Sequence, residues 1–444
     1  MPKLRSPLRS SLIAAAVVLV AAALWTAPAG SLRAAEEPAL VAPESVGMSS
    51  ERLRRINTYI QEYIDTQQIA GAVTLVARRG EVVHLEAQGL RDKEAGAPMT
   101  TDTIFEMASM TKPIVSAALM MLFEEGRFLL DDPISKWLPE YADHQVRLPG
   151  YLGAQPVAAA RPVTVRHVLT HTSGLTMRPG NRGLTPAQRD QVTNGGKGHA
   201  TLREHVRAAA IIPGYFHPGD RWLYGDSTNY VAVLVEEISG QPLDRFLRER
   251  IFDPLGMDDT FYYTPQEKIE RVAAIYRPKA DGAIELARAP KFVEPTRYFP
   301  GIAGLKSTAI DYIRFAQMIA NGGEIDGVRL LGRMTVNNMI TNQIGALPVD
   351  VRGAGYGFGL GFGILTNTAR AVDSLSLGSY TWGGAYGTLY WADPVEDLIG
   401  ILLIQLRPYN HFNIRPMFSN VVTQAVIDSL ADQRPRIMGH ATPR

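Results

Sequence analysis

The chain has 444 residues, with 45 basic and 44 acidic side chains, and 46% of it is apolar. The near balance of charge argues against nucleic acid or an anionic membrane surface as a partner, and the apolar share is ample for two or three domain-sized units or one large body with an inserted region. The complete absence of cysteine excludes disulfides, thiolate metal sites, thiol catalysis and lipid attachment through an N-terminal cysteine.

The N-terminus reads as an export signal. Lys3, Arg5 and Arg9 form a positive start, and Leu12 to Trp25 is an apolar run too short to span a membrane easily as a mature helix. Ala27-Pro28-Ala29 and Ala34-Ala35 offer cleavage after Ala29 or Ala35, so residues 1–35 are expected to be removed from a periplasmic or secreted protein with no membrane span. An uncleaved anchor is the competing reading. From Ser50 the residues Leu53, Ile56, Ile60, Tyr63 and Ile64 mark an amphipathic helix. Gly71–Ala77 and Glu81–Gln88 then read as two strands of a hairpin turning at Arg78-Arg79-Gly80. An apolar helix follows from about Ser109 and stops at Gly126.

The middle of the chain is helical in pattern. Thr164 opens one helix, a second runs from about Asn229 to Gly240, and a third from Leu243 to Ile251. Residues 178 to about 200 are polar and glycine-rich and read as a surface loop. Strand character returns from Gly353, with strands at Leu389–Trp391 and Leu398–Gln405, and a helix from about Arg415 to Leu430 closes the chain. Strands at both ends and helices between them predict one sheet built from both termini, an α+β fold with an inserted helical part. The expected body covers residues 45–435, its α/β part about 45–135 and 300–435 and its all-helical part about 136–299.

The chemistry concentrates at Met107-Ala108-Ser109-Met110-Thr111-Lys112-Pro113. Positions i and i+3 share a helix face, so the Ser109 hydroxyl and the Lys112 amine can meet. A serine is a poor nucleophile until something takes its proton, and a lysine in a dry pocket can have its pKa lowered enough to help. Pro113 is tolerated because the first turn of a helix needs no N–H there. A second cluster, Tyr224-Gly225-Asp226, opens the helix near Asn229; a tyrosine beside an ammonium has its phenolate favoured and can shuttle a proton. In Trp382-Gly383-Gly384-Ala385, paired glycines next to a strand allow close approach of a substrate carbonyl, and a free N–H there can point at an oxyanion. Read singly, each cluster also has a bland meaning: a capped helix, a packed tyrosine, a tight turn.

Other signals fall away. The nine histidines form no H-E-x-x-H, and His171 reads as structural. No G-x-S-x-G occurs. The alternating glycines from 355 to 363 lie in a strand pattern without a following helix, so they do not bind a dinucleotide. No metal or cofactor is expected.

Taken in order, Phe105–Lys112, Val165–Leu175, Tyr224–Gly240, Gly304–Ala309 and Trp382–Pro394 resemble the serine β-lactamase-related family. Its members include class C β-lactamases, D-alanyl-D-alanine carboxypeptidases and family VIII carboxylesterases. The resemblance implies an antiparallel sheet flanked by helices with an active site in the groove beside the helical part. It implies Ser109 as the acylated nucleophile, Lys112 as holder or relay of the proton, Tyr224 as general base and acid, and the N–H groups of Ser109 and Ala385 as the oxyanion hole. Trp382, Gly383, Gly384 and Asp226 would contact a small-molecule ester or amide.

Two departures from the family pattern bear on substrate. β-Lactamases and peptidases have Lys-Thr-Gly where this chain has Trp382-Gly383-Gly384, and losing that charge-assisted contact to a substrate carboxylate forfeits roughly 1.5–3 kcal/mol. The W-G-G form is similar to that of family VIII carboxylesterases, and a tryptophan offers an apolar wall. Ester hydrolysis is therefore expected, with β-lactam, peptide or amide cleavage, or a non-catalytic sensor of cell-wall fragments, left open. Asp226 stands where Tyr-x-Asn members have asparagine; a carboxylate near Lys112 would favour the ammonium and shift the role of base to Tyr224. Oligomeric state is not legible.

Overall fold

An eight-stranded antiparallel sheet joins the two ends of the chain. Its strands are β1 (Gly71–Arg78), β2 (Glu81–Asp92), β3 (Ala97–Pro98), β4 (Tyr356–Phe358), β5 (Gly363–Leu365), β6 (Tyr380–Gly383), β7 (Leu389–Asp393) and β8 (Leu398–Leu403). Their spatial order is β4-β5-β6-β7-β8-β1-β2-β3, so β1 and β8 form the seam, in register from Val73 opposite Leu403 to Arg78 opposite Leu398. The computed structural model describes residues 37–148, 155–180 and 183–428. The expected export signal lies outside the described residues. Among the described residues no helix is long and apolar enough to cross a membrane.

The sheet is covered on both faces, which is why its central strands are apolar throughout rather than alternating. Val73, Leu75 and Ala77 of β1 face one core, together with Ile399, Ile401 and Leu403 of β8. Ala72 and Val76 face the other, with Leu398 and Leu402. The second core is closed by α1 (Arg55–Asp65) through Ile56 and Ile60, and by the C-terminal helix through Phe418 and Val422. The first core holds α2 (Thr111–Glu124), α3 (Ser227–Ser239) and α4 (Ala309–Ala320). The C-terminal helix is α5 (Ile414–Thr423). α2 is buried along nearly its whole length, so its Ile, Val, Leu and Met residues need no polar face.

Three local expectations change. The stretch read as a loop from 178 to 200 contains a helix, Pro186–Thr193, because Thr185 and Gln188 form a reciprocal capping box ahead of Pro186. Residues 136–299 carry, among their helices, two short ladders, Gln145–Val146 with Val157–Ala158 and Ile275–Pro278 with Ile284–Arg288. Arg78, expected in the hairpin turn, ends β1 instead, with 0% exposure. Its guanidinium donates to the Val46 and Gly47 carbonyls and pairs with Glu396, tying the N-terminal segment to the β7–β8 connection.

Candidate active site

The site is assembled where the N-terminus of α2 meets the end of β6 and the entrance to α3. Phe105–Glu106 forms a short antiparallel ladder with Lys306–Ser307, and the Met107 N–H donates to the Leu305 carbonyl. This fixes the approach to a tight turn, Ala108–Met110, that leads into α2. Ala108 has φ +45°, a left-handed conformation that costs a residue with a Cβ about 1–2 kcal/mol. That local strain sits directly before Ser109, which is half-buried and presents its hydroxyl at a helix start.

Lys112 is 3% exposed. Its Nζ donates to Ser109 Oγ over 3.0 Å and to the Ile302 carbonyl over 2.9 Å. It also lies 4.6 Å from the centre of the Tyr224 ring, over the face. Burial draws the Lys112 amine below its ordinary value, while Tyr224, through charge and hydrogen bonding, and the Asp226 carboxylate pull the other way. The Ile302 carbonyl is held in place by its own residue's N–H, which donates to Asn229 Oδ1 on α3 over 3.2 Å. The sequence gives no sign of this partner, since any residue type supplies a carbonyl.

Tyr224 is gripped by rings. Its ring centre is 5.2 Å from Trp382, 5.0 Å from His171 and 6.0 Å from Trp222, and Phe358 packs on Trp382, Trp222 and His171. The Trp382 indole N–H donates to the Tyr224 hydroxyl over 3.3 Å. Trp382 is 2% exposed. Expected as an apolar wall for the substrate, it packs on Tyr224 and Phe358, because its side chain is buried in the first core. His171 is also buried, at φ +59°, and burial followed by the nearby Lys112 charge pushes its pKa well down, so its ring is neutral. It is structural in the sense expected, yet it touches the tyrosine. Nothing in the sequence marks Trp222 and Phe358 for this role beyond their aromatic character.

Gly383 and Gly384 serve close packing within the protein. A Cβ on Gly384 would stand 2.3 Å from both the Met107 carbonyl and Thr388 Oγ1, and one on Gly383 would stand 2.8 Å from Arg415 Cζ. Gly384 thus lets the end of β6 approach the turn that carries Ser109, and Gly383 makes room for Arg415. The next N–H, that of Ala385, has no hydrogen-bond partner among the described residues. Asp226 is 5% exposed and does not reach Lys112; its Oδ2 accepts from the Met177 N–H (3.0 Å) and the Thr176 hydroxyl (3.2 Å), and Arg178 lies 3.7 Å from Oδ1. Expected in contact with substrate, it is turned toward the segment after Gly174 and acts on Lys112 only through its field. Among the described residues no group of His, Asp or Glu is arranged to hold a metal ion.

The geometry thus gathers Ser109, Lys112 and Tyr224, with Gly384 packed against Met107 in the turn that carries Ser109. The family model of the Beta-lactamase family matches residues 56–416. The chain belongs to the Beta-lactamase family. As a member of that family it is a serine hydrolase. Protein Rv1367c of Mycobacterium tuberculosis is 36% identical over 79% of this chain and 89% of its own length. Esterase EstB of Burkholderia gladioli is 32% identical over the same shares. Among solved structures, EstCE1, described as a hydrolase with promiscuous acyltransferase activity, superposes with a TM-score of 0.71 at 25% identity, covering 85% of this chain and 99% of that one. The sheet and its helices are the β-lactamase/transpeptidase-like fold.

Proposed function

We propose that this Beta-lactamase family protein hydrolyses small or medium carboxylic esters through an acyl-enzyme on Ser109. One contact carries the reading: Lys112 Nζ donates to Ser109 Oγ over 3.0 Å while lying over the Tyr224 ring. In the proposed reaction Ser109 Oγ attacks the acyl carbon as its proton passes to Tyr224 Oη, and the Lys112 ammonium stabilises the phenolate that precedes this transfer. The N–H groups of Ser109 and Ala385 hold the negative oxygen of the tetrahedral intermediate. Collapse breaks the bond to the alcohol oxygen, which leaves with the proton from Tyr224. Water then attacks the ester on Ser109, gives up a proton to Tyr224, and releases the acid as the serine recovers its hydroxyl. The scheme draws on side chains and backbone alone.

An ester is preferred to a β-lactam because Trp382 replaces the lysine that meets a carboxylate in family β-lactamases, and because EstB carries the name of an esterase. The proposal includes export with removal of residues 1–35, and a substrate groove between the sheet part and the helices of 136–299. Turnover of a short-chain nitrophenyl ester and of a chromogenic cephalosporin by the purified protein tests it. A higher kcat/KM on the ester is expected. Equal or greater efficiency on the cephalosporin overturns the ester preference, and unmeasurable turnover of both with retained ligand binding supports a sensor.

A further inference from the structure

Arg415, the second residue of α5, reaches back from the C-terminal end of the chain to the turn that follows β6. Its Nε donates to the Gly387 carbonyl over 3.3 Å, its Nη2 to the carbonyls of both Gly384 and Thr388, and its Nη1 to the Tyr409 hydroxyl. The guanidinium also stacks 3.9 Å from the centre of the Tyr409 ring. Four of its five N–H groups are therefore committed within the protein. The Gly384 N–H closes the same turn by donating to the Thr388 carbonyl over 2.8 Å.

The Gly384 carbonyl and the Ala385 N–H belong to one peptide unit. In a trans peptide the N–H points opposite to the C=O, so whatever anchors the carbonyl also aims the N–H. Arg415 anchors this carbonyl together with the Gly387 N–H, which donates to it over 3.2 Å, and the Ala385 N–H on the other side has no partner among the described residues. A charge-assisted bond to the oxygen further polarises the peptide and makes its N–H a stronger donor. Rotation of the same unit would turn a carbonyl oxygen toward Ser109, where it would repel an oxyanion. The glycine at 383 is what admits the guanidinium, since a Cβ there would stand 2.8 Å from Arg415 Cζ.

We propose that Arg415 is the positioning residue of the oxyanion hole, fixing the Gly384–Ala385 peptide so that its N–H faces the acyl oxygen that becomes the oxyanion. This deepens the proposed function and rests on its assignment of the Ala385 N–H. A lysine cannot span three carbonyls and a phenol with one ammonium, so the role is specific to the guanidinium fork.

The test compares wild type, Arg415→Lys and Arg415→Ala on a nitrophenyl ester, with the affinity of phenylboronic acid, which forms a tetrahedral adduct on an active serine, measured alongside. For both variants kcat is expected to fall about 10²–10³-fold, KM to change less than threefold, and boronate affinity to fall in parallel with kcat. Guanidinium ion added to Arg415→Ala is expected to restore part of kcat and to leave wild type unchanged. Arg415→Lys keeps the charge and most of the volume, so its melting temperature separates loss of the hole from loss of the fold. Turnover within threefold of wild type in a folded variant overturns the proposal. So does a loss expressed in KM alone, or a fall in kcat with boronate affinity intact. A wild type that neither turns over the ester nor binds the boronate refutes the proposed function instead, which is a separate result.

Discussion

The Trp382 indole N–H donates to the Tyr224 hydroxyl across 3.3 Å, joining the sheet to the entrance of α3. A donor aimed at that oxygen stabilises it most when it is a phenolate. Trp382→Phe keeps an aromatic ring against Phe358 and Tyr224 but removes the donor. We expect kcat/KM to fall about tenfold, the effect of losing one hydrogen bond to a charged acceptor, with KM nearly constant; steady-state kinetics on a nitrophenyl ester checks it.

Lys112 and Tyr224 form one unit, with Nζ over the ring. Lys112→Ala and Tyr224→Phe are each expected to lower kcat by about 10²–10⁴. The double variant should cost little more than the worse single one, because residues that act together are not additive. Multiplying losses would show the two working independently.

Asp226 raises the Lys112 pKa through its charge while burial lowers it more. Neutralising it in Asp226→Asn removes the upward pull, so Lys112 gives up its proton at lower pH. The pH profile of kcat/KM is expected to move to lower pH by up to about one unit. An unmoved or upward-moving profile contradicts the electrostatic link.

Asp311 on α4 illustrates a carboxyl held against its preference. Its Oδ2 accepts from the Asp259 N–H and the Thr260 hydroxyl, each over 2.8 Å, while its Oδ1 is buried without a partner among the described residues. Burial raises its pKa from 3.8 to about 7, and the neighbouring Asp259 adds to this. The folded state therefore holds a proton that the unfolded chain releases near pH 4, and folding stability falls as pH rises from there to about 7. Between pH 5 and 8 the loss is about 2–3 kcal/mol, from 1.36 kcal/mol per unit. Denaturant titrations of wild type and Asp311→Asn at the two pH values should show wild type losing about 2–3 kcal/mol more between them than the variant does.

Much of this could be read ahead of the coordinates, and the reasons are local. The apolar strands around Val73 and Ile401 show themselves by length and β-branched content, and Ser109 with Lys112 by a spacing that one helical turn converts into contact. What stayed hidden depends on partners far away in sequence. Arg415 and Ile302 act on, or through, backbone carbonyls, which leave no mark on residue identity. Asp226 lies two positions from Tyr224, yet its carboxylate turns to Met177, a direction only the packed loop decides. Arg78 looks like a turn residue until the N-terminal segment and Glu396 close over it.

The central claim is that Ser109 is the nucleophile. Incubation with a fluorophosphonate followed by peptide mass mapping tests it most directly. The account predicts one label per chain, on the peptide containing Ser109, and none in Ser109→Ala. Ser173 and Ser227 are buried and bonded to each other over 3.0 Å; label on either of them, or undiminished labelling of Ser109→Ala, would contradict it.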